Sequence, residues 1–325
     1  ALFDLAATRD GLTNAGQLAL GPLLEAEELD FISAAGAGGG AAEPPLLTTI
    51  SHSLAEHGKL WVGLAPAGRG LAAALLPLCG RGVVAWEGLT PETMGAAARN
   101  LLSGGDRRSI SEIAVVVDDI SAAYLGGGGE LAGPLLAGQR LGLAVLGAPA
   151  DVWLLDDVLA GRTPRYKLYV FLNAFYLDAN SRRQLLEQLN AEPCTVLWVY
   201  AAGALDQGLG ARQMKDLTGM IIVQRPGKGA LQVRVDAEPP YTYGATHALW
   251  PRFACVDDRA DVRGRLVGTE LGGLAVKPYG QIRSVWSAAP QLPGALLRAV
   301  AREAGVHLYA DNGDAVYACG SLLGL

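Results

Sequence analysis

The chain has 325 residues, 50% of them hydrophobic and 18% charged, with a formal net charge of −6 and a pI near 5.3. This composition excludes a disordered chain, and 26 basic against 32 acidic residues gives no excess of Lys and Arg for a nucleic-acid footprint. Arg81, Glu112, Asp118 and Arg140 interrupt the longest apolar runs, so none reaches the roughly 18 to 20 residues that cross a bilayer.

At this length two or more units can each bury a core. Residues 1–105 read as three strand-helix repeats, with apolar strands predicted at 29–34, 59–65 and 82–89, in the rhythm of parallel βαβ units. Three such units make less than half of an eight-fold barrel. The stretch 34–42 is almost entirely Ala and Gly and reads as a loop.

From Ser109 the pattern sharpens. Strands are predicted at 112–117, 152–155, 167–173 and 195–200, and helices at 130–146 and 182–189, the latter with Asp178 as N-cap and Leu185, Leu186 and Leu189 on one face. Strands alternating with helices at this spacing predict a doubly wound, flavodoxin-like parallel sheet over 106–225. In 226–325 the helical spacing fades, and a small, mostly-β segment is expected. Its strands are predicted at 230–235, 253–256 and 280–286, and its helix at 294–304 between Pro293 and Gly305. Two further strands, 306–309 and 315–318, are predicted to form a hairpin around Asp311, Asn312 and Gly313.

The residues that could carry chemistry do not assemble into a complete motif. Cys79, Cys194, Cys255 and Cys319 lie far apart and are expected to be reduced and buried. His52, His57, His247 and His307 lack zinc spacing, and Gly126 to Gly129 precede a helix without the Lys-Ser or Lys-Thr of a phosphate loop. The pairs Asp118-Asp119, Asp156-Asp157 and Asp257-Asp258 could be mistaken for metal ligands. Nothing in their spacing makes them converge, so they read as helix caps and solvated loops, and neither a metal nor a cofactor is expected. The chain starts at Ala1, without a charged leader and apolar core, which fits either a removed leader or a start within a longer protein; the apolar ending at Leu325 suggests that more chain follows. A cytoplasmic location is expected.

Four ordered blocks carry a resemblance. EIAVVVD at 112–118, GAPADVWLLDD at 147–157, YKLYVFLN at 166–173 and VLWVYAAG at 196–203 resemble the trimerisation domain of glycoside hydrolase family 42 β-galactosidases. That domain is flavodoxin-like and non-catalytic. The first hundred residues resemble the end of the same family's catalytic barrel: ELDFI at 28–32 is similar to a late strand, and HGKLW at 57–61 to the approach to the nucleophile. The family places a glutamate three residues after that tryptophan and an aspartate two further on, where this chain has Leu64 and Pro66. A retaining glycosidase needs two carboxyl groups about 5 to 5.5 Å apart, and leucine can neither attack the sugar nor protonate the leaving group.

The resemblance also implies aromatic sugar platforms at strand ends. Trp61 and Trp86, with Glu87 following, are therefore candidates for a carbohydrate-binding vestige, against core packing for the rings and solvation for the acid. The function this implies is a non-catalytic oligomerisation or scaffold protein, a homo-oligomer or a subunit of a larger assembly. The alternatives are a fragment of an active β-galactosidase-type enzyme and a sugar-binding pseudoenzyme.

Overall fold

The computed structural model describes residues 20–29, 31–35, 51–65, 82–86, 108–124, 131, 133–320 and 322–324. In the first stretch a short helix α1 (Leu20–Glu25) precedes strand β1 (Phe31–Ala35), and helix α2 (Ser51–Glu56) precedes strand β2 (Leu60–Ala65) and then β3 (Gly82–Trp86). The three strands pair in parallel in the order β1-β2-β3. All three lie where short apolar runs predicted them.

The second stretch opens with strand β4 (Ile113–Val117), helix α3 (Asp119–Ala123), a π-turn at Gly133–Ala137 and helix α4 (Gln139–Ala144). Strand β5 (Asp151–Leu154), helix α5 (Leu155–Leu159), strand β6 (Leu168–Phe171), helix α6 (Ala179–Leu189), strand β7 (Cys194–Val199) and helix α7 (Ala211–Thr218) follow. Then come β8 (Ile222–Arg225), β9 (Gly229–Val235), β10 (Tyr241–Leu249), β11 (Arg252–Cys255), β12 (Asp261–Leu266), β13 (Gly272–Tyr279), β14 (Ile282–Ser287), helix α8 (Gly294–Glu303), β15 (Tyr317–Cys319) and β16 (Leu322–Gly324).

Strands β4 to β14 form one mixed sheet of 11 strands. Its parallel part runs β5-β4-β6-β7-β14, so the late strand β14 completes a sheet begun by four earlier ones. The antiparallel part continues from β14 through β13, β12 and β9 to β10, with β8 and β11 branching from β13. One sheet therefore runs through both the 106–225 and the 226–325 stretches. The division in burial follows the division in pairing: β5 and β6 are buried at every position, as covered parallel strands are, whereas β9 alternates between buried and solvent-touching residues.

The centre of the core is aromatic. Trp198 and Trp286 face each other across the β7-β14 ladder, and Phe171 stacks on Trp198 with ring centroids 4.7 Å apart. Both buried indoles are satisfied: Trp198 Nε1 donates to Ser284 Oγ at 3.1 Å and Trp286 Nε1 to the Tyr200 carbonyl at 2.7 Å.

Four expectations need correction. The single helix predicted over 130–146 is broken, because Gly138 N–H bonds to the Gly133 carbonyl in a π-turn before α4 begins. No strand forms at 306–309: Val306 N–H bonds back to Ala301, and the N–H groups of Tyr309 and Ala310 both donate to the Gly147 carbonyl. The predicted hairpin around Asp311 to Gly313 is therefore replaced by a pairing of β15 with β16. Finally, the cysteines are not all reduced, since Cys319 is disulfide-bonded while Cys194 and Cys255 are free thiols. Spacing along the sequence carried no signal for that bond.

Candidate functional site

Trp61 and Trp86 lie on neighbouring strands but at opposite ends. Trp61 pairs with Gly82 at the start of β3, and Trp86 ends β3 opposite Ala65. Four strand residues separate the two levels, roughly 13 Å. The register does not bring the two together, and Glu87 lies outside the described residues. Leu64 sits one residue before the C-terminal end of β2, level with Ala35 of β1 and Ala85 of β3. That is the end from which parallel α/β strands present catalytic groups. Gly126 to Gly129 also lie outside the described residues.

The acidic pairs sit elsewhere, and each can be traced to its partners. Asp118 follows β4 and caps α3, accepting from Ile120 N–H at 3.2 Å and Ser121 N–H at 2.9 Å. Its own backbone is held from the next strand. Asn173, fully buried after β6, accepts from Asp118 N–H at 2.8 Å and donates Nδ2–H to the Asp118 carbonyl at 2.7 Å. Ser121 Oγ adds a second tie, accepting from Phe175 N–H at 3.0 Å and Tyr176 N–H at 2.8 Å. The C-terminal ends of β4 and β6 are where the strand order reverses, the place at which open α/β sheets take ligands. Here Asp118, Ser121 and Asn173 are spent on one another and on the adjoining backbone.

Burial pushes the Asp118 carboxyl up to about 7, aided by the nearby Asp119 and Asp156 carboxylates and opposed by the bonds from Ser121. Asp156 moves the same way, through lost hydration and the charges of Asp119 and Asp157, against the pull of Arg162. Asp119 Oδ2 accepts Gly21 N–H of α1 at 3.0 Å, so this acidic corner meets the first stretch of the chain.

Asp157 is buried and contacted from two sides. Its Oδ1 lies 2.7 Å from Arg162 Nε and 2.9 Å from His57 Nε2, whose other nitrogen is 3.5 Å from Glu25. At the opposite end of α2, His52 Nε2 lies 3.1 Å from Asp151 Oδ1, and that carboxylate also accepts from Ser109 Oγ at 2.6 Å and Tyr166 Oη at 2.7 Å. Asp257 follows β11 in the antiparallel part of the sheet, where it accepts from Ile221 N–H, Arg259 N–H and, at 2.6 Å, Lys277 Nζ. Among the described residues no group of three or more His, Cys, Asp or Glu converges as metal ligands would. The acidic pairs act as caps and ion-pair partners, and the His57–Asp157 and His52–Asp151 contacts, which sequence reading missed, join segments about a hundred positions apart.

No family model matches the sequence, and no curated protein matches it. Solved structures do. A β-galactosidase from Bacillus circulans sp. alkalophilus superimposes with a TM-score of 0.57 at 11% identity, covering 89% of this chain and 55% of that one. The chain shares its fold with β-galactosidases. One from Halorubrum lacusprofundi gives a TM-score of 0.54 at 15% identity over 98% of this chain and 49% of that one. The GH42 β-galactosidase Gan42B gives 0.54 at 12% identity over 84% and 48%. The chain spans about half the length of these structures. At such identities the likeness is one of fold. No described helix is long and apolar enough to cross a membrane.

Proposed function

We propose that the chain is a non-catalytic oligomerisation or scaffold protein of GH42-like descent. In this reading β1 to β3 derive from the end of a (β/α) barrel, and the parallel part of the large sheet is a flavodoxin-like, trimerisation-type domain. The order β5-β4-β6-β7-β14 supports the second assignment, because it is the 2-1-3-4-5 order of that fold. The observation that carries the loss of catalysis is Leu64, an aliphatic side chain type at the C-terminal end of β2 where the resemblance calls for a carboxylate. The separation of Trp61 from Trp86 weighs against one shared sugar platform.

A second reading, part of an active β-galactosidase-type enzyme, is favoured by one fact: the chain spans about half of the structures it matches. An aryl β-galactoside assay separates the two. The scaffold reading expects no turnover from the purified chain. Turnover that survives repurification and disappears in Glu87→Gln supports the enzyme reading and removes the first.

A further inference from the structure

Strand β5 is an outermost strand of the large sheet, with β4 as its only ladder partner among the described residues. Alternate N–H groups of such a strand face away from the sheet and need acceptors. Two of them are taken by consecutive side chains of α2: Val152 N–H donates to His52 Nδ1 at 3.2 Å, and Leu154 N–H to Ser53 Oγ at 2.8 Å. Ser53 is fully buried, and His52 packs its ring against Trp153 at a centroid distance of 5.8 Å. The helix thus stands in for a missing strand by supplying two side-chain acceptors at the right spacing.

This arrangement fixes the protonation state of His52. A ring nitrogen that accepts a backbone N–H must keep its lone pair, so the single ring proton belongs on Nε2, where it points at Asp151 Oδ1. A second proton on Nδ1 would set N–H against N–H and remove the acceptor. We propose that α2 is an acid-releasable cap on the edge of the large sheet, with protonation of His52 as the trigger that frees Val152 and loosens the contact between the first stretch of the chain and β5.

The charged surroundings set the direction. Among the described residues, Asp151 from β5 faces His52, and beyond it lies the Tyr166 hydroxyl, which bonds both Asp151 and Trp153 Nε1. Asp151 favours the imidazolium, but burial outweighs it and holds the His52 ring below the usual imidazole value of 6.5. The folded protein therefore resists a proton that the undocked helix takes up. Docking is strongest above pH 6.5 and weakens as the pH falls below it. At the other end of α2, His57 faces Asp157 and Arg162 from the α5 side and Glu25 from α1, and Lys59 Nζ bonds the Ala26 carbonyl at 2.6 Å. His57 thus contacts two carboxylates of its own, so the two histidines must be tested apart.

Amide hydrogen exchange on the full chain, corrected for intrinsic rates, reads the cap directly. Between pH 7.5 and 5.5 the protection of Val152 is expected to fall by up to about tenfold, while that of Val170 on the interior strand β6 stays level. In His52→Asn, whose Oδ1 replaces Nδ1 as acceptor without titrating, the fall should vanish; in His57→Gln it should persist. Level protection of Val152 in the wild type, or the same fall in His52→Asn, overturns the proposal. Imidazole nitrogen chemical shifts of the wild type give a check that needs no variant. His52 protonated on Nε2 alone at pH 7.5 supports the proposal, and a proton on Nδ1 at that pH overturns it.

Discussion

Asn173 closes the crevice between β4 and β6 by gripping the backbone of Asp118 twice, at 2.8 and 2.7 Å. Both partners are buried, so removing the amide strands the Asp118 N–H away from water, while the Asp118 carbonyl keeps the N–H of Ala122 at 3.1 Å. Asn173→Ala is expected to cost about 1–3 kcal/mol, read as a lower urea midpoint with an unchanged m-value. The same geometry gives an expectation for ligands: with these groups already paired, the purified protein should show no flavin absorbance. A loss under about 0.5 kcal/mol would show that the clasp is incidental.

Asp118 makes the stability of the wild type fall as the pH rises. Its folded carboxyl titrates at about 7 against an ordinary value of 3.8, so between those values the folded state holds a proton that the unfolded chain has lost. Stability contributed by this group is full below 3.8 and is lost as the pH climbs through the folded value. Asp118→Asn cannot ionise and remains an acceptable N-cap. Relative to wild type it should therefore gain stability from pH 5 to pH 8, by on the order of 1 kcal/mol or more, in paired denaturant titrations. A constant difference across that range would contradict the assignment.

Asp257 carries the opposite sign. Burial pushes its carboxyl up, but Lys277 and the N–H groups of Arg259 and Ile221 outweigh burial and hold it below 3.8. Its stabilisation is present above the ordinary carboxylate value and is lost as the pH falls through the folded one. Asp257→Asn leaves Lys277 without its partner and is expected to cost about 3–5 kcal/mol at pH 7, with the gap narrowing below pH 3.8. Thermal melts at pH 7 and pH 3 check both parts.

How much of this was legible depends on whether the signal was local. EIAVVVD announced β4 because a strand buried on both faces is a continuous apolar run, and Asp178 announced α6 by its place before a helical stripe, where it accepts Ser181 N–H at 2.7 Å. Strand β13 was missed, since Gly272, Gly273, Lys277 and Pro278 break any apolar pattern although the ladder with β14 is regular. The eight residues of α7 were missed although Met214, Leu217 and Thr218 have i, i+3, i+4 spacing, because the helix is only about two turns long and the pattern does not repeat. Nothing near His52 or Ser53 could reveal the edge they cover, because Val152 and Leu154 lie 100 and 101 positions away. Trp61 and Trp86, the candidates taken from resemblance, lie on neighbouring strands, but their register is a property of pairing that no strand carries alone.

The proposed assembly of this chain has a physical reason in the three-stranded sheet. Strands β1 and β3 are its outer strands among the described residues, and three parallel strands cannot close a barrel. The unpaired N–H and C=O groups of an outer strand are a template for pairing with another chain. Sedimentation equilibrium across a dilution series tests this most directly, with Val84→Lys on β3 as the comparison. A species heavier than the 33.7 kDa chain is expected at micromolar concentration, dissociating on dilution and weakened by the lysine. A well-folded monomer at the same concentration, with a melting temperature indifferent to dilution, would contradict it.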